Sequence, residues 1–255
     1  MKKYALIGEH LGHSHSPLVH SKIFKEFGID ATYEKIECSI DELKGVIDNL
    51  KKGIYMGYNV TIPYKLEVMK YLDEIDVHAK KIGAVNTVAN INGKAVGFNS
   101  DYYGFKDEVL HYGIDCSDKD CYILGTGGAS KAVYHALNDL GGNVYFVSRN
   151  PKDNITITYD ELAKRDIFLL VNATPLGMSP NIDSCAVSEE IAKKATFVMD
   201  LIFNPRQTKI LKYASSTMDG LYMLVSQAVK SEEIWQDRKF PGDVSKLVKE
   251  IEGEI

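Results

Sequence analysis

The chain has 255 residues, 45% of them hydrophobic and 25% charged, with a formal net charge of −5. That length buries a substantial core and suits two α/β domains. The acidic balance argues against nucleic acid as the main partner, and no apolar run is long enough to cross a bilayer. Cys38, Cys116, Cys121 and Cys185 lie far apart without a C-x-x-C pair, and the N-terminus runs into a short strand rather than a signal peptide, so the expected compartment is a reducing cytoplasm.

Tyr4 to Gly8 reads as a strand, and Ser16-Pro17 supplies an N-cap and an N1 proline for a helix to Phe27, ended by Gly28. Alternation over 31–36 predicts a second strand. Ser39 with Glu42 forms a capping-box pattern for a helix that stops near Gly53, and Tyr55 to Val60 is the next strand. Pro63 in the run 59–65 can open a helix, which places Lys65 in a first turn, where the helix dipole disfavours a cation. Asn92-Gly93 between two short apolar runs is a two-residue hairpin signal. The β-α-β-α-β order predicts a mostly parallel sheet covered by helices.

A second βαβ run starts at Asp120, with strands expected over 120–124, 143–148, 166–172 and 196–203 and a helix at 188–193. Two helical stretches, from Leu221 to about Arg238 and from Gly242 to Ile251, close the chain. Domains are expected at 1–100 (substrate binding and catalysis), 101–219 (Rossmann-like, dinucleotide binding) and 220–255 (helices returning to the first domain). After Arg149 only four residues precede the strand-like run 155–159, too few for a helical crossover. That run is therefore expected to be an antiparallel or irregular edge segment, or no strand.

Gly125-Thr126-Gly127-Gly128-Ala129-Ser130 follows a strand and opens a helix, the context in which glycines let a diphosphate reach free N–H groups at a helix start. Ser130 stands where the third glycine of G-x-G-x-x-G would be. The following strand ends in Arg149 instead of the acidic residue that binds a ribose hydroxyl pair, which favours NADP over NAD.

Small polar side chains gather at element ends in His13-Ser14-His15-Ser16-Pro17, Asn59 and Thr61, 83–87, and 97–101. Hydroxyls and amides at strand ends suit a small polyhydroxylated ligand. The first 100 residues contain no arginine, so a carboxylate bound there must be held by hydroxyls, amides, backbone N–H groups or lysine. His10, His13 and His15 have no nearby cysteine to complete a metal set, and no metal is expected.

The succession H-S-x-S-P (13–17), N-V-T-x-P-x-K (59–65), G-A-V-N-T (83–87), N-S-D (99–101), G-x-G-G-A-S (125–130), N-A-T-P-L-G-M (172–178) and M-L-x-x-Q-A (223–228) resembles the shikimate dehydrogenase family, in order and over nearly the whole chain. The resemblance implies NADPH-dependent, reversible reduction of 3-dehydroshikimate to shikimate in aromatic amino acid biosynthesis. It implies Lys65 and Asp101 as the catalytic pair, with Ser14 and Ser16 on the substrate carboxylate and Asn59, Thr61, Asn86 and Gln227 as further substrate contacts. It also implies Gly125, Gly127, Gly128, Ala129 and Ser130 at the cofactor diphosphate, Arg149 at the 2′-phosphate, and Asn172, Thr174 and Met178 toward the nicotinamide. Partners are then a small-molecule substrate, with no nucleic acid or membrane, and the chain is a monomer or homodimer.

Three positions depart from the family pattern. Phe203 stands where a tyrosine is usual, Ser100 replaces the commoner threonine, and the short segment after Arg149 leaves Lys152 as the nearby second cation. The competing readings are an NAD-using quinate/shikimate dehydrogenase, and a non-catalytic binding protein that keeps the fold.

Overall fold

A computed structural model describes residues 1–12, 14–240 and 244–254. The chain divides into two compact units, Met1–Gly104 with Val225–Ile255, and Phe105–Leu224. In the first unit β1 (Lys2–Gly8), α1 (Ser16–Phe27), β2 (Ala31–Glu37), α2 (Leu43–Lys51) and β3 (Gly57–Val60) follow in the expected alternation. They are joined by β4 (Glu74–Ile75), α3 (Val77–Ile82), β5 (Thr87–Ile91) and β6 (Lys94–Phe98), and α4 (Ser100–His111) leads into the second unit. The strand order is β2-β1-β3-β5-β6-β4, parallel from β2 through β3, with β5 and β6 antiparallel. Asn92 and Gly93 both take positive φ (55° and 81°), the pair of angles that the hairpin signal requires.

Alternation along β1 feeds two cores. Ala5 and Ile7 join Ile47, Leu50, Tyr58 and Val88 on the face covered by α2. Tyr4 points the other way, into a cluster with Phe24, Ala89 and Trp235. On that face Trp235 stacks on Tyr4 with centroids 4.6 Å apart, and its Nε1–H donates to the Val88 carbonyl at 3.0 Å. A Cβ on Gly57 would lie 2.2 Å from Trp235 Nε1, so the bare backbone there is a packing requirement.

Several local expectations need correction. The N-cap of α1 is His15, in the bridge region at φ −88°, ψ 0°, and Ser16 is the first helical residue with Pro17 directly after it. Glu42 caps backwards only: its carboxylate accepts from the Ser39 N–H and hydroxyl, both at 2.8 Å, so the Ser39 oxygen caps no helical N–H and α2 begins at Leu43. Pro63 does not open a helix. The Ile62–Pro63 bond is cis, residues 62–66 form turns closed by Tyr64 N–H to the Thr61 carbonyl (2.9 Å), and a 3-10 helix begins only at Glu67. Lys65 therefore meets no helix dipole.

The second unit contains β7 (Asp120–Leu124), α5 (Gly128–Asp139), β8 (Asn143–Val147), β9 (Thr156–Ile157), α6 (Tyr159–Leu162), β10 (Ile167–Asn172), α7 (Glu189–Lys194), β11 (Ala195–Asp200), α8 (Lys209–Tyr213) and β12 (Thr217–Met218). The helix α9 (Leu221–Gln236) carries residues of both units, and α10 (Ser245–Glu252) belongs to the first. The order β12-β11-β10-β7-β8-β9 is parallel throughout. This is the doubly wound arrangement with its switch point between β7 and β10. The fold class is α/β with mostly parallel sheets, as expected. The run 155–159 does contribute a strand, and it is parallel: Phe146 pairs with Thr156 and Val147 with Ile157. No helix intervenes. A strand of two residues lets the chain retrace only two pleats, so the usual crossover length does not apply, and the Asp153 carboxylate folds the return by accepting from Ile155 N–H and the Thr156 hydroxyl. Cys116 and Cys121 are not far apart: the turn between them brings the two free thiols into hydrogen-bonding contact. Among the described residues no helix is long and apolar enough to cross a membrane.

Candidate active site

In the first unit the chain leaves β1 toward β2 at one edge of the sheet and leaves β3 toward β4 at the other, which makes the carboxyl ends of β1 and β3 a natural ligand crevice. Both segments beyond those ends are fastened. After β1, the Leu11 N–H donates to the Glu37 carboxylate (2.6 Å), Lys35 donates to the Gly12 carbonyl (3.2 Å) and Ser14 N–H to the Leu11 carbonyl (3.0 Å). After β3, Thr61 N–H donates to the Ile7 carbonyl (3.0 Å) and the buried Tyr64 hydroxyl to the Cys38 carbonyl (2.6 Å). The Lys65 carbonyl accepts from Val85 N–H at 2.8 Å, which ties the lysine to the segment that carries Asn86.

Lys65 Nζ donates to Asp101 Oδ2 at 2.6 Å, with side chains only 16% and 9% exposed. Asp101 lies in the first turn of α4, where the helix start favours a carboxylate, so the dipole argument applies to the partner of the lysine. Its Oδ1 accepts from Asn86 Nδ2 at 2.8 Å. Asn86 is a junction: Nδ2 also donates to Ser100 Oγ (2.9 Å), while Oδ1 accepts from Ser100 N–H (2.6 Å) and the Thr87 hydroxyl (3.1 Å). Ser100 Oγ in turn reaches Gln227 Oε1 at 3.3 Å, bringing α9 into the site.

The chain of polar contacts continues away from the lysine. Ser231 Oγ lies 3.0 Å from Thr87 Oγ1 and accepts from Asn59 Nδ2 at 2.9 Å. Asn59 Oδ1 accepts from the Tyr33 hydroxyl at 2.8 Å, and that hydroxyl lies within hydrogen-bonding reach of the Ser16 hydroxyl. Ser14 Oγ then donates to Ser16 Oγ at 3.2 Å. Ser14, Ser16, Asn59, Asn86, Gln227, Asp101 and Lys65 are thus linked through one network. Thr61 stands half-buried beside it, its methyl close to the position a Cβ on Gly8 would occupy. Tyr33 and Ser231 lie outside every motif in the sequence, while Thr87 stands in the 83–87 run. Ser231 follows Gln227 by four residues on the same helix face, which was the available signal.

In the second unit Gly125 (φ 99°) turns the chain sharply at the end of β7, and Gly127 N-caps α5 without a side-chain hydrogen bond. The first-turn N–H groups of α5, at Gly128 and Ala129, are therefore left uncapped by side chains, and a Cβ on Gly127 would meet nothing within 4 Å. Ser130 has a different place. It is fully buried, with its hydroxyl 3.5 Å from where a Gly125 Cβ would be, so it fills the helix-against-strand position of a third glycine. Arg149 is exposed just past β8, near enough to Tyr159 to offset part of the rise that burial imposes on the phenol.

Asn172 and Thr174 shape the loop after β10. Asn172 is wholly buried: Nδ2 donates to the Asp200 carboxylate (3.0 Å) and the Leu176 carbonyl (3.2 Å), and Oδ1 accepts from Thr174 N–H and hydroxyl. Its amide is a strut, and so is the Thr174 hydroxyl, which donates to Asn172 Oδ1 at 2.7 Å and accepts from Leu176 N–H at 3.2 Å; Met178 is exposed on the same loop. Phe203 is half-buried past β11. Among the described residues no group of three His, Cys, Asp or Glu side chains could hold a metal ion, and His13 lies outside them.

Burial raises the Asp200 carboxyl from 3.8 to about 6, against donors from Thr208, Ile202 N–H and Asn172 that favour its charged form. A raised acid stabilises the fold fully below its unfolded value and loses that contribution as pH rises through its folded one. Wild-type stability is therefore expected to carry a component that falls between about pH 4 and about pH 6. In urea titrations across that range, Asp200→Asn is expected to remove this component, and an identical slope in the variant would refute it.

The substrate binding domain model of shikimate dehydrogenase matches residues 6–88. The shikimate dehydrogenase (NADP(+)) of Clostridium perfringens is 43% identical over 254 residues, covering 94% of each chain. Two solved structures align over nearly the whole chain. A chorismate mutase/shikimate 5-dehydrogenase fusion protein from Clostridium acetobutylicum has a TM-score of 0.95 at 40% identity, covering 100% of this chain and 98% of that one. Shikimate 5-dehydrogenase from Thermus thermophilus, in complex with NADP(H) and shikimate, has a TM-score of 0.88 at 27% identity, covering 98% of both.

Proposed function

The chain belongs to the shikimate dehydrogenase family, and from that premise we propose that it reversibly reduces 3-dehydroshikimate to shikimate with NADPH, the lysine–aspartate pair handling the proton. The observation that carries this reading is the Lys65–Asp101 contact at 2.6 Å, joined to a continuous set of hydroxyls and amides that ends at Ser14 and Ser16. Bound NADPH supplies the hydride. The uncapped start of α5, the open Gly127 and the exposed Arg149 fit its diphosphate and 2′-phosphate.

Ser14 and Ser16 bind the substrate carboxylate, a role hydroxyls must fill in a segment without arginine. Asn59, Thr61, Asn86 and Gln227 orient the ring hydroxyls. As the carbonyl carbon is reduced, negative charge grows on its oxygen, and Lys65 Nζ stabilises that charge and donates the proton. Asp101 keeps Nζ aimed, since its carboxylate is itself held by Asn86 and the start of α4. In the oxidative direction the proton leaves the substrate hydroxyl into the same pair. The free state of all four cysteines suits a reducing compartment.

The direct experiment is to supply 3-dehydroshikimate and NADPH to the purified chain and identify the product; shikimate is expected, and no consumption of NADPH would overturn the reading. Arg149→Gln is expected to raise KM for NADP+ about tenfold, the scale of one exposed charge-assisted contact, with KM for NAD+ unchanged. Equal changes for the two cofactors would remove Arg149 from the 2′-phosphate site.

A further inference from the structure

We propose that Tyr33 is a substrate-positioning residue, its hydroxyl coupling the carboxylate-binding serines to the Asn59 amide. The inference rests on the dehydrogenase reading of this site. Tyr33 lies on β2, an edge strand of the first sheet, and three independent contacts fix it. Its ring stacks on His20 with centroids 3.9 Å apart and planes 7° from parallel. His20 is held from behind by Glu232, Nδ1 to Oε1 at 2.7 Å, with both side chains essentially without solvent exposure. The hydroxyl then donates to Asn59 Oδ1 at 2.8 Å and reaches Ser16.

A phenol has one hydrogen to give. Burial, followed by the Glu232 charge, raises Tyr33 far above the ordinary phenol range, so the oxygen keeps its proton and acts as donor toward Asn59. That donation holds Oδ1 toward Tyr33, in agreement with the acceptor-only Asn86 carbonyl 3.4 Å from Nδ2, which also faces Ser231 and the Thr87 hydroxyl, the latter at 3.3 Å. Without the Tyr33 hydroxyl, nothing on that side distinguishes Oδ1 from Nδ2, and Ser16 loses a neighbour that orders its rotor. Two substrate-facing groups therefore depend on one hydroxyl that is not itself in the proposed contact set.

The test is Tyr33→Phe, which keeps the ring and its stacking. Shikimate binding can be followed through Trp235, the single tryptophan, whose ring centroid lies 6.4 Å from that of Tyr33. The variant is expected to raise both Kd and KM for shikimate about three- to tenfold, the worth of one hydrogen bond, with a smaller change in kcat. KM for NADP+ is expected to stay, and Tm to fall by a few degrees at most for the lost buried hydrogen bond. In a Ser16→Ala background the same substitution is expected to cost no more than about twofold further, since coupled groups do not add. Unchanged Kd and KM, or full additivity with Ser16→Ala, overturns the proposal. A lowered Tm with unchanged KM makes the hydroxyl purely structural and also overturns it. A wild-type chain that neither binds nor oxidises shikimate overturns the dehydrogenase reading itself, an outcome distinct from failure of the Tyr33 variant alone.

Discussion

Lys65→Ala is expected to lower kcat for shikimate oxidation by about 10³-fold, the scale of a lost general acid–base group together with its charge stabilisation. Shikimate affinity is expected to fall by only a few fold. The reason lies in how the network divides. Ser14, Ser16 and Asn59 are connected to one another through Tyr33 without help from the lysine, so removing Nζ leaves the carboxylate end of the site intact. The fold also tolerates the change. Asp101 loses its counter-charge but keeps the Asn86 donor at 2.8 Å and its place at the start of α4, both of which favour a carboxylate. Equilibrium titration beside steady-state kinetics separates the two effects. Turnover of the variant within a few fold of wild type would remove Lys65 from the chemistry.

Asp101→Asn is expected to cost about 10²-fold in kcat, with Tm little changed. The amide is nearly isosteric, and its oxygen can still accept from Asn86 Nδ2. Its NH2 group then faces the Lys65 ammonium where a carboxylate oxygen lies at 2.6 Å. An attractive contact becomes a repulsive one, and Nζ swings away from the substrate oxygen. Because the two residues act as one device, the double variant Lys65→Ala/Asp101→Asn is expected to be no slower than Lys65→Ala alone within about threefold. Multiplying losses in the double variant would mean that the residues serve separate steps.

What was legible in the sequence followed the reach of each interaction. Strand alternation, the Gly28 and Gly53 helix ends and the Asn92-Gly93 hairpin are decided within a few residues, and they stand in the structure. The Pro63 reading failed within the same short range. A proline is equally at home at N1 and in a tight turn, and nothing in the run 59–65 distinguishes them. The strand after Arg149 is parallel, against expectation, because the crossover length that full strands need does not bind a two-residue one. Motif residues at strand ends could be named, but not their division of labour. The family resemblance places Asn172 and Thr174 toward the nicotinamide, whereas the Asn172 amide and the Thr174 hydroxyl are consumed in folding their own loop.

The most distant contacts were invisible. Asn59 meets Ser231 across 172 positions and His20 meets Glu232 across 212, so the residues that wire the substrate site from α9 carry no local pattern. Tyr33 in particular reads from sequence as one more alternating strand residue. Its position only acquires meaning once Asn59, Ser16 and His20 surround it.

The most direct measurement is the initial rate of nicotinamide reduction by the purified chain, with shikimate and quinate each crossed against NADP+ and NAD+. The account predicts that kcat/KM is highest for shikimate with NADP+. Turnover in none of the four combinations would contradict it and leave a binding protein that keeps the fold, and a preference for quinate with NAD+ would place the chain with the other branch of the family.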